Sequence, residues 1–480
     1  MRLAARVAYN TLAQLSGKLV SAGLGLVAVG VMTRYLGQSG FGEFTTVIAF
    51  ASTFAIIADL GLSLVTTQMI NKSGTNQEEV LGNLLTFRLA SSLILIGLAP
   101  LSVWFFPYNQ AIKVGVAVVS WSYLFFSFNQ IFVSLFQKEL KTHLIAIAEV
   151  VSRAVLLVIV ILTTWYNWGL TGVLWSMVAS NIINFSLHYW FARRLAKFGW
   201  RWSWTIWKQI MSRSWPLLAT IVLNLVYLKA DILILSLIKP QADVGLYGAA
   251  YRVVDVLVAL PFMFAGLMLP ILVKHWSDGA HSSFKFVAQK IFDVTVLATA
   301  PLLMAGYLLA RPAMSVVAGT NFIISGSILK ILLLAVVAVF FSCVFTYLMI
   351  SFEEQKRLIK YYLLTAITAM PVYYFAISKY SYFGAAWGTV YSEVLIFICS
   401  AVAVWRYSHF LPNLRLLPKA LGATAVMALV IISLSLGLDV FTTWGLGLTV
   451  IGGVASYSLM LKIFGLLKLS AWQGLLTDKK

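Results

Sequence analysis

Gly37-Gln38-Ser39-Gly40-Phe41-Gly42-Glu43-Phe44 sits between two apolar stretches, and Pro240-Gln241-Ala242-Asp243-Val244-Gly245-Leu246-Tyr247 repeats its pattern 203 positions later, from 37 to 240. Both copies read Gly or Pro, Gln, two variable residues, an apolar residue, Gly, a variable residue and an aromatic. Glycine and proline punctuate ordinary helix corners too, so the match alone is also what two unrelated turns would give. Its weight comes from what separates the copies. Six apolar spans lie between them, and an even number of crossings returns the chain to the same face in the same direction. A parallel repeat of six helices is a transporter architecture, with the substrate path between the halves.

The spans themselves are plain in the composition. Apolar residues make up 61% of the 480, charged residues 11%, and the apolar content recurs in runs of about 20 residues, enough to cross a ~30 Å hydrocarbon layer as a helix. Fourteen spans are expected, near 12–33, 43–65, 84–106, 112–136, 144–165, 169–191, 215–237, 246–272, 290–310, 323–350, 359–378, 383–405, 417–437 and 441–463. Helices are the expected form, because backbone polar groups in lipid must be satisfied within the segment and no period-2 barrel pattern appears. The fold class is therefore an all-α integral membrane protein. It divides into an N-terminal six-helix lobe (1–191), a basic linker (192–214), a second six-helix lobe (215–405), and two extra helices with a tail (406–480).

The net charge of +19 is mostly topology. With the N-terminus placed inside, 24 basic residues fall on the cytoplasmic side, 5 outside and 6 within spans. Cytoplasmic loops collect Lys and Arg, so both termini are expected in the cytoplasm, and the excess does not indicate nucleic-acid binding. The largest basic cluster, Arg193, Arg194, Lys197, Arg201, Lys208 and Arg213, is interleaved with Trp200, Trp202, Trp204 and Trp207. That mixture suits an interfacial segment on anionic lipid. Arg2 and Arg6 before an apolar run resemble a signal peptide, but no small-residue cleavage site follows, so the first span is expected to be retained.

Ionisable groups inside spans are costly and mark functional positions by default. Asn10, Gln14, Lys18 and Ser21 form one face of the first span, where Lys18 either lines a cavity or snorkels to the interface. The seventh span repeats the device with Thr220, Asn224, Tyr227 and Asp231, beside Lys229; the eighth adds Tyr247, Tyr251 and Asp255. Arg252 with Asp255, and Glu149 with Arg153, have spacings that permit intrahelical pairs, which are either tolerated structure or part of a site. Asp59 lies near a span end. Lys18, Arg88 and Lys330 have no acidic residue within a helical turn. They either snorkel or take an anion from elsewhere; phosphate is one such anion, and Arg grips it through paired hydrogen bonds.

Several chemistries lack their motifs. There is no G-x-x-x-x-G-K-[ST] loop, no zinc-binding histidine pattern, and no paired outer carboxylates for glycosyl chemistry. Cys343 and Cys399 both fall inside spans and support neither a disulfide framework nor a metal site. No catalytic residues are expected.

Thr33-Arg34-Tyr35-Leu36, the first turn motif, and Ala58-Asp59-Leu60-Gly61-Leu62 together resemble the opening of the bacterial polysaccharide (O-antigen) repeat-unit flippase family. Lys229-Ala230-Asp231-Ile232 and Asp243 through Arg252 are similar to that family's pattern after its seventh helix. The resemblance implies a multidrug/oligosaccharidyl-lipid/polysaccharide exporter fold, with two six-helix lobes around a central cavity and a C-terminal helix pair. It implies a bacterial inner-membrane flippase for an undecaprenyl-diphosphate-linked oligosaccharide of lipopolysaccharide or exopolysaccharide. On this reading Lys18, Arg88, Arg252 and Lys229 hold the diphosphate. Gln14, Asp59, Asn224, Tyr227, Asp231, Tyr251, Asp255, Glu149 and Arg153 line the cavity. Membrane lipids are partners, with a polysaccharide polymerase and a chain-length regulator as further ones. No cofactor is required, and coupling to a proton or sodium gradient stays open. The competing readings are a lipid II flippase, a cation-coupled drug exporter of the same superfamily, and a membrane polymerase or glycosyltransferase.

Overall fold

The computed structural model describes residues 3–70 and 76–466; the side chains of 3–9, 11, 12, 15, 64, 67, 68, 77, 216–228 and 355 fall outside that description. The chain is 89% helical, with no strand among the described residues. The helices are α1 (Leu3–Asp59), α2 (Leu62–Ile70), α3 (Gln77–Ser102), α4 (Gln110–Lys138), α5 (His143–Trp165), α6 (Gly169–Arg193), α7 (Trp204–Ile238), α8 (Gln241–Ser277), α9 (His281–Ala318), α10 (Ile323–Ser351), α11 (Ile359–Ser408), α12 (Leu417–Gly437) and α13 (Thr443–Ile463). Eleven of the described helices are long and apolar enough to cross a membrane, and α1 and α11 are double-length. The fourteen expected spans are therefore met in approximate number. α1 breaks at Gly37 (φ 65°, ψ −173°) and α11 at Ser381 (φ 49°, ψ −129°), so each holds two of the expected spans end to end. A positive φ costs glycine least, which explains why the first break falls on the Gly of the turn motif.

The chain divides into two compact units, Met1–Gly248 and Ala249–Lys480. In the first, α1 packs on α3, α4, α5, α6 and α7, and α4 packs on α6. Leu62, Leu81, Phe132 and Phe136 centre an apolar cluster that extends to Ile210 in the first turns of α7. α7 accordingly begins at Trp204, well before the span expected from 215. Ile210, with Ile206 and Trp207 partly buried beside it, packs against that cluster, and this packing carries the helix back beyond the apolar run. In the second unit α10 packs on α9 and α11, and the α12–α13 pair docks on α9. Tyr457 of α13 donates to the Leu297 carbonyl at 2.8 Å.

The two turn motifs meet. A Cβ added to Gly42 would lie 1.7 Å from the Gln241 carbonyl oxygen, and one added to Gly245 would lie 1.9 Å from the Gln38 carbonyl oxygen. Gln38 and Gln241, and Gly42 and Gly245, are equivalent positions of the repeat, so the contact is reciprocal, as across a local two-fold axis. Around it, Thr46 donates to the Gln241 side-chain oxygen at 2.7 Å, and the hydroxyls of Tyr108 and Ser236 lie 2.8 Å apart. Burial pushes the Tyr108 phenol above its ordinary range, the Ser236 bond only partly offsetting it, so the pair stays neutral through physiological pH.

Alanine at Gly42 or Gly245 must push two backbones apart, and overpacking of this kind costs about 1–3 kcal/mol. Each variant should lower the melting temperature in detergent, and the double variant should cost less than the sum of the two, because both open the same contact. Gly97→Ala, where a Cβ meets nothing within 4 Å, should leave the melting temperature unchanged or raise it.

Candidate functional site

The polar face of α1 is built from its anchor upward. The Asn10 side chain donates to the Leu140 carbonyl at 2.6 Å and its oxygen lies 3.0 Å from His143 Nδ1, which ties α1 to the α4–α5 turn. Two turns further on, Gly17 allows close approach: a Cβ there would lie 2.4 Å from that of Ala146. This contact brings Lys18 of α1 near Glu149 of α5, a carboxylate whose first influence is its burial, followed by the charges of Lys18 and Arg153. Gln14 and Lys18 are half-buried, and the buried Ser21 hydroxyl has no hydrogen-bond partner. One carboxylate thus stands among two cations, with a hydroxyl left over on the same face. Glu149 and Arg153 share a helical face, as their spacing predicts.

Arg88 departs from expectation. It was expected to lack an acidic partner; it is 2% exposed and donates to Asp59 Oδ1 at 2.8 Å, to the Asp59 carbonyl at 3.2 Å and, through Nε, to the Ser127 carbonyl at 3.1 Å. Asp59 also accepts from Ser63 at 2.8 Å. The chain reverses through Leu60 and Gly61, both at positive φ (50° and 72°), and so leaves the Asp59 carboxylate at the end of α1, facing α3. Arg88 therefore joins α1, α3 and α4, and its charge is matched inside the protein. Lys330 likewise has a neighbour, lying 4.4 Å from the centroid of the Tyr307 ring.

The remaining positions fall as follows. Arg252 and Asp255 pair at 3.6 Å along α8, with the Asp255 side chain about half exposed. Asp231 is buried and accepts from the Tyr247 hydroxyl at 2.6 Å and from the Ile232 amide at 2.7 Å. Lys229 and Tyr251 are half-buried. Asn224 and Tyr227 lie outside the described side chains. Sequence reasoning missed a buried polar ladder behind Glu149. Asn129 of α4 donates to Asn184 of α6 at 2.8 Å, Asn184 donates to the Ser152 hydroxyl of α5 at 2.9 Å, and Ser152 donates to the Glu149 carbonyl at 2.9 Å. Asn184 and His188, four apart in a span, were the available signal. The His188 ring is buried with its Nε2 unpartnered.

The family model for polysaccharide biosynthesis proteins matches residues 7–276. Among solved structures, the chain is similar to the lipid II flippase MurJ in an inward closed conformation, with TM-score 0.74 and 16% identity, over 94% of this chain and 98% of that one. It is also similar to an inward-facing multidrug resistance MATE family transporter of the MOP superfamily, with TM-score 0.65 and 14% identity, over 83% and 98%. A MOP superfamily transporter from Pyrococcus furiosus matches with TM-score 0.56 and 14% identity, over 84% and 95%. Likeness at these identities establishes the fold. No curated protein matches the chain in sequence.

Removing one partner of a buried ion pair costs about 3–5 kcal/mol, whereas replacing both with apolar groups is often neutral. Arg88→Ala and Asp59→Ala should each lower the melting temperature sharply in detergent, and Arg88→Met with Asp59→Leu should recover most of the loss. A double variant as unstable as the single ones would show that the pairing is not what holds the three helices.

Proposed function

The chain belongs to the polysaccharide biosynthesis protein family, and we propose that it is a flippase moving an undecaprenyl-diphosphate-linked oligosaccharide, an O-antigen or exopolysaccharide repeat unit, from the cytoplasmic to the outer leaflet of a bacterial inner membrane. It is a multi-pass membrane protein with the fold of flippases and MOP-superfamily transporters. The observation that carries this reading is the family match over residues 7–276. The meeting of α1 and α5, where Gly17 lies against Ala146, adds two basic side chains, Lys18 and Arg153, of the sign a diphosphate needs. The unpartnered Ser21 hydroxyl adds a donor suited to a phosphate oxygen.

In this reading Lys18 and Arg153 hold the diphosphate, with Arg252 and Lys229 as further candidates. Arg88, its charge already matched, shapes the site by fixing α1 against α3 and α4. The polyprenyl tail stays in the bilayer, so only the polar head needs a path. Alternating access moves it if one conformation binds the head more tightly than the other, since a ligand shifts an equilibrium only by its differential affinity. The basic-residue asymmetry supports a cytoplasmic position for both termini. A second reading, lipid II transport, is favoured by the structural likeness to a lipid II flippase. It uses the same diphosphate chemistry and differs in the glycan.

Hydrogen bonds to charged groups contribute about 1.5–3 kcal/mol each. Lys18→Ala and Arg153→Ala should therefore each slow export by about 10–100-fold, with lipid-linked repeat units accumulating on the cytoplasmic side at normal protein levels. Lys18→Arg should retain most of the activity. Normal export by the Lys18→Ala, Arg153→Ala double variant would sink the assignment. Purified protein in vesicles loaded with either the repeat-unit lipid or lipid II separates the two readings.

A further inference from the structure

We propose that the segment from Arg193 to Trp215 is a fixed plate that selects anionic phospholipid headgroups in the leaflet it faces, independently of what the protein transports. The segment is pinned to α3. The Ser203 amide donates to the Asn83 side chain at 2.6 Å, Thr86 bonds the Arg201 carbonyl, and Arg201 lies 3.7 Å from Glu78. Gly199 passes so close to α3 that a Cβ on Gly82 would lie 2.4 Å from its carbonyl oxygen. Trp207 meets Phe87 edge-on at 5.1 Å and stacks on Trp202 at 4.5 Å.

What the plate turns outward is both aromatic and cationic. Trp200, Trp202, Trp204 and Trp215 are each 60–70% exposed. Trp204, Lys208, Met211 and Trp215 follow one another at i, i+4, i+7 and i+11 on α7, all exposed, while Ile210 and Ser214, to one side of that stripe, are buried. Tryptophan prefers the headgroup layer, where its ring is half apolar and half polar. α7 has the length to reach that layer. Its 35 residues span about 52 Å at 1.5 Å per residue, against a ~30 Å core, so its first turns lie beyond the hydrocarbon.

The charge complementarity names the occupant. All six basic residues between 193 and 213 are exposed, and no acidic residue occurs between Glu149 and Asp231. Glu78, from α3, is paired with Arg201. Arg194 lies 3.6 Å from the centroid of the Trp190 ring and Arg193 is bonded to the Tyr189 hydroxyl at 2.7 Å, so these guanidiniums are held in place beside aromatic faces. A row of exposed cations on a pinned segment, flanked by exposed tryptophans, matches the phosphodiester layer of anionic phospholipids.

The test is native mass spectrometry of the full-length protein released from nanodiscs holding equal phosphatidylglycerol and phosphatidylcholine. The expected result is preferential retention of phosphatidylglycerol, falling by about fivefold per cation removed in Arg194→Gln, Lys208→Gln and Arg213→Gln, singly and combined. Arg415→Gln with Lys419→Gln, removing two exposed cations elsewhere, should leave the preference intact. Equal retention of the two lipids, an unchanged preference in the triple variant, or an equal loss in the Arg415, Lys419 control would each overturn the proposal. The single variants keep the test available if the triple one does not fold. A failure here leaves the transport reading standing, and a failure of export in the Lys18 and Arg153 variants leaves this one standing.

Discussion

Hydrocarbon does not solvate polar groups, and the rest of this structure follows from that. It makes the chain helical, since only a helix bonds every backbone group within its own segment. It then acts on side chains. Thr45, Thr163, Thr295 and Thr449 each return their hydroxyl to a carbonyl four residues back, and Asn129 and Asn184 donate to neighbouring helices. Among the described residues, buried side-chain polar atoms without a partner are few, and Ser21 is one of them. In such surroundings an unspent hydroxyl beside Lys18 is a feature to explain.

The same constraint separates two cations that look alike in the sequence. A charge at bilayer depth costs about 2.5–3.5 kcal/mol or more, so each must be matched or reach water. Arg88 is matched within the protein and spends three donor contacts on Asp59 and Ser127. Its guanidinium fork suits that geometry, bridging a carboxylate and two main-chain carbonyls at once. Lys18 instead stands near Glu149 of α5, which Arg153 of the same helix also influences. Arg88 is held by direct hydrogen bonds; Lys18 is near an opposite charge on another helix.

What the sequence made legible is what composition and short-range spacing control. The positions of the spans, the break at Gly37 and the Arg252–Asp255 pair all depend on residues close together in the chain. Asp59 and Arg88 are 29 residues apart, and their meeting depends on the reversal at Leu60–Gly61, which no periodicity announces. Lys18 and Glu149 are further apart still, and the small residues that bring them together, Gly17 and Ala146, read as ordinary apolar filler. The early start of α7 was hidden for a different reason. Its first turns are basic and tryptophan-rich, as a loop at the interface would be, and only the packing of Ile206, Trp207 and Ile210 shows them to be helix.

The repeat acquires physical content where its two copies touch. Gly42 and Gly245 bring backbone against backbone, each beside the carbonyl of the other copy's Gln. Such a contact orders no long side chains at its centre, so making or breaking it costs little rotamer entropy compared with an interface of Leu or Lys. Its close fit nevertheless gives it a steep distance dependence, because dispersion fades within about an ångström of separation. That close fit explains why both copies place glycine where any side chain would hold the backbones apart.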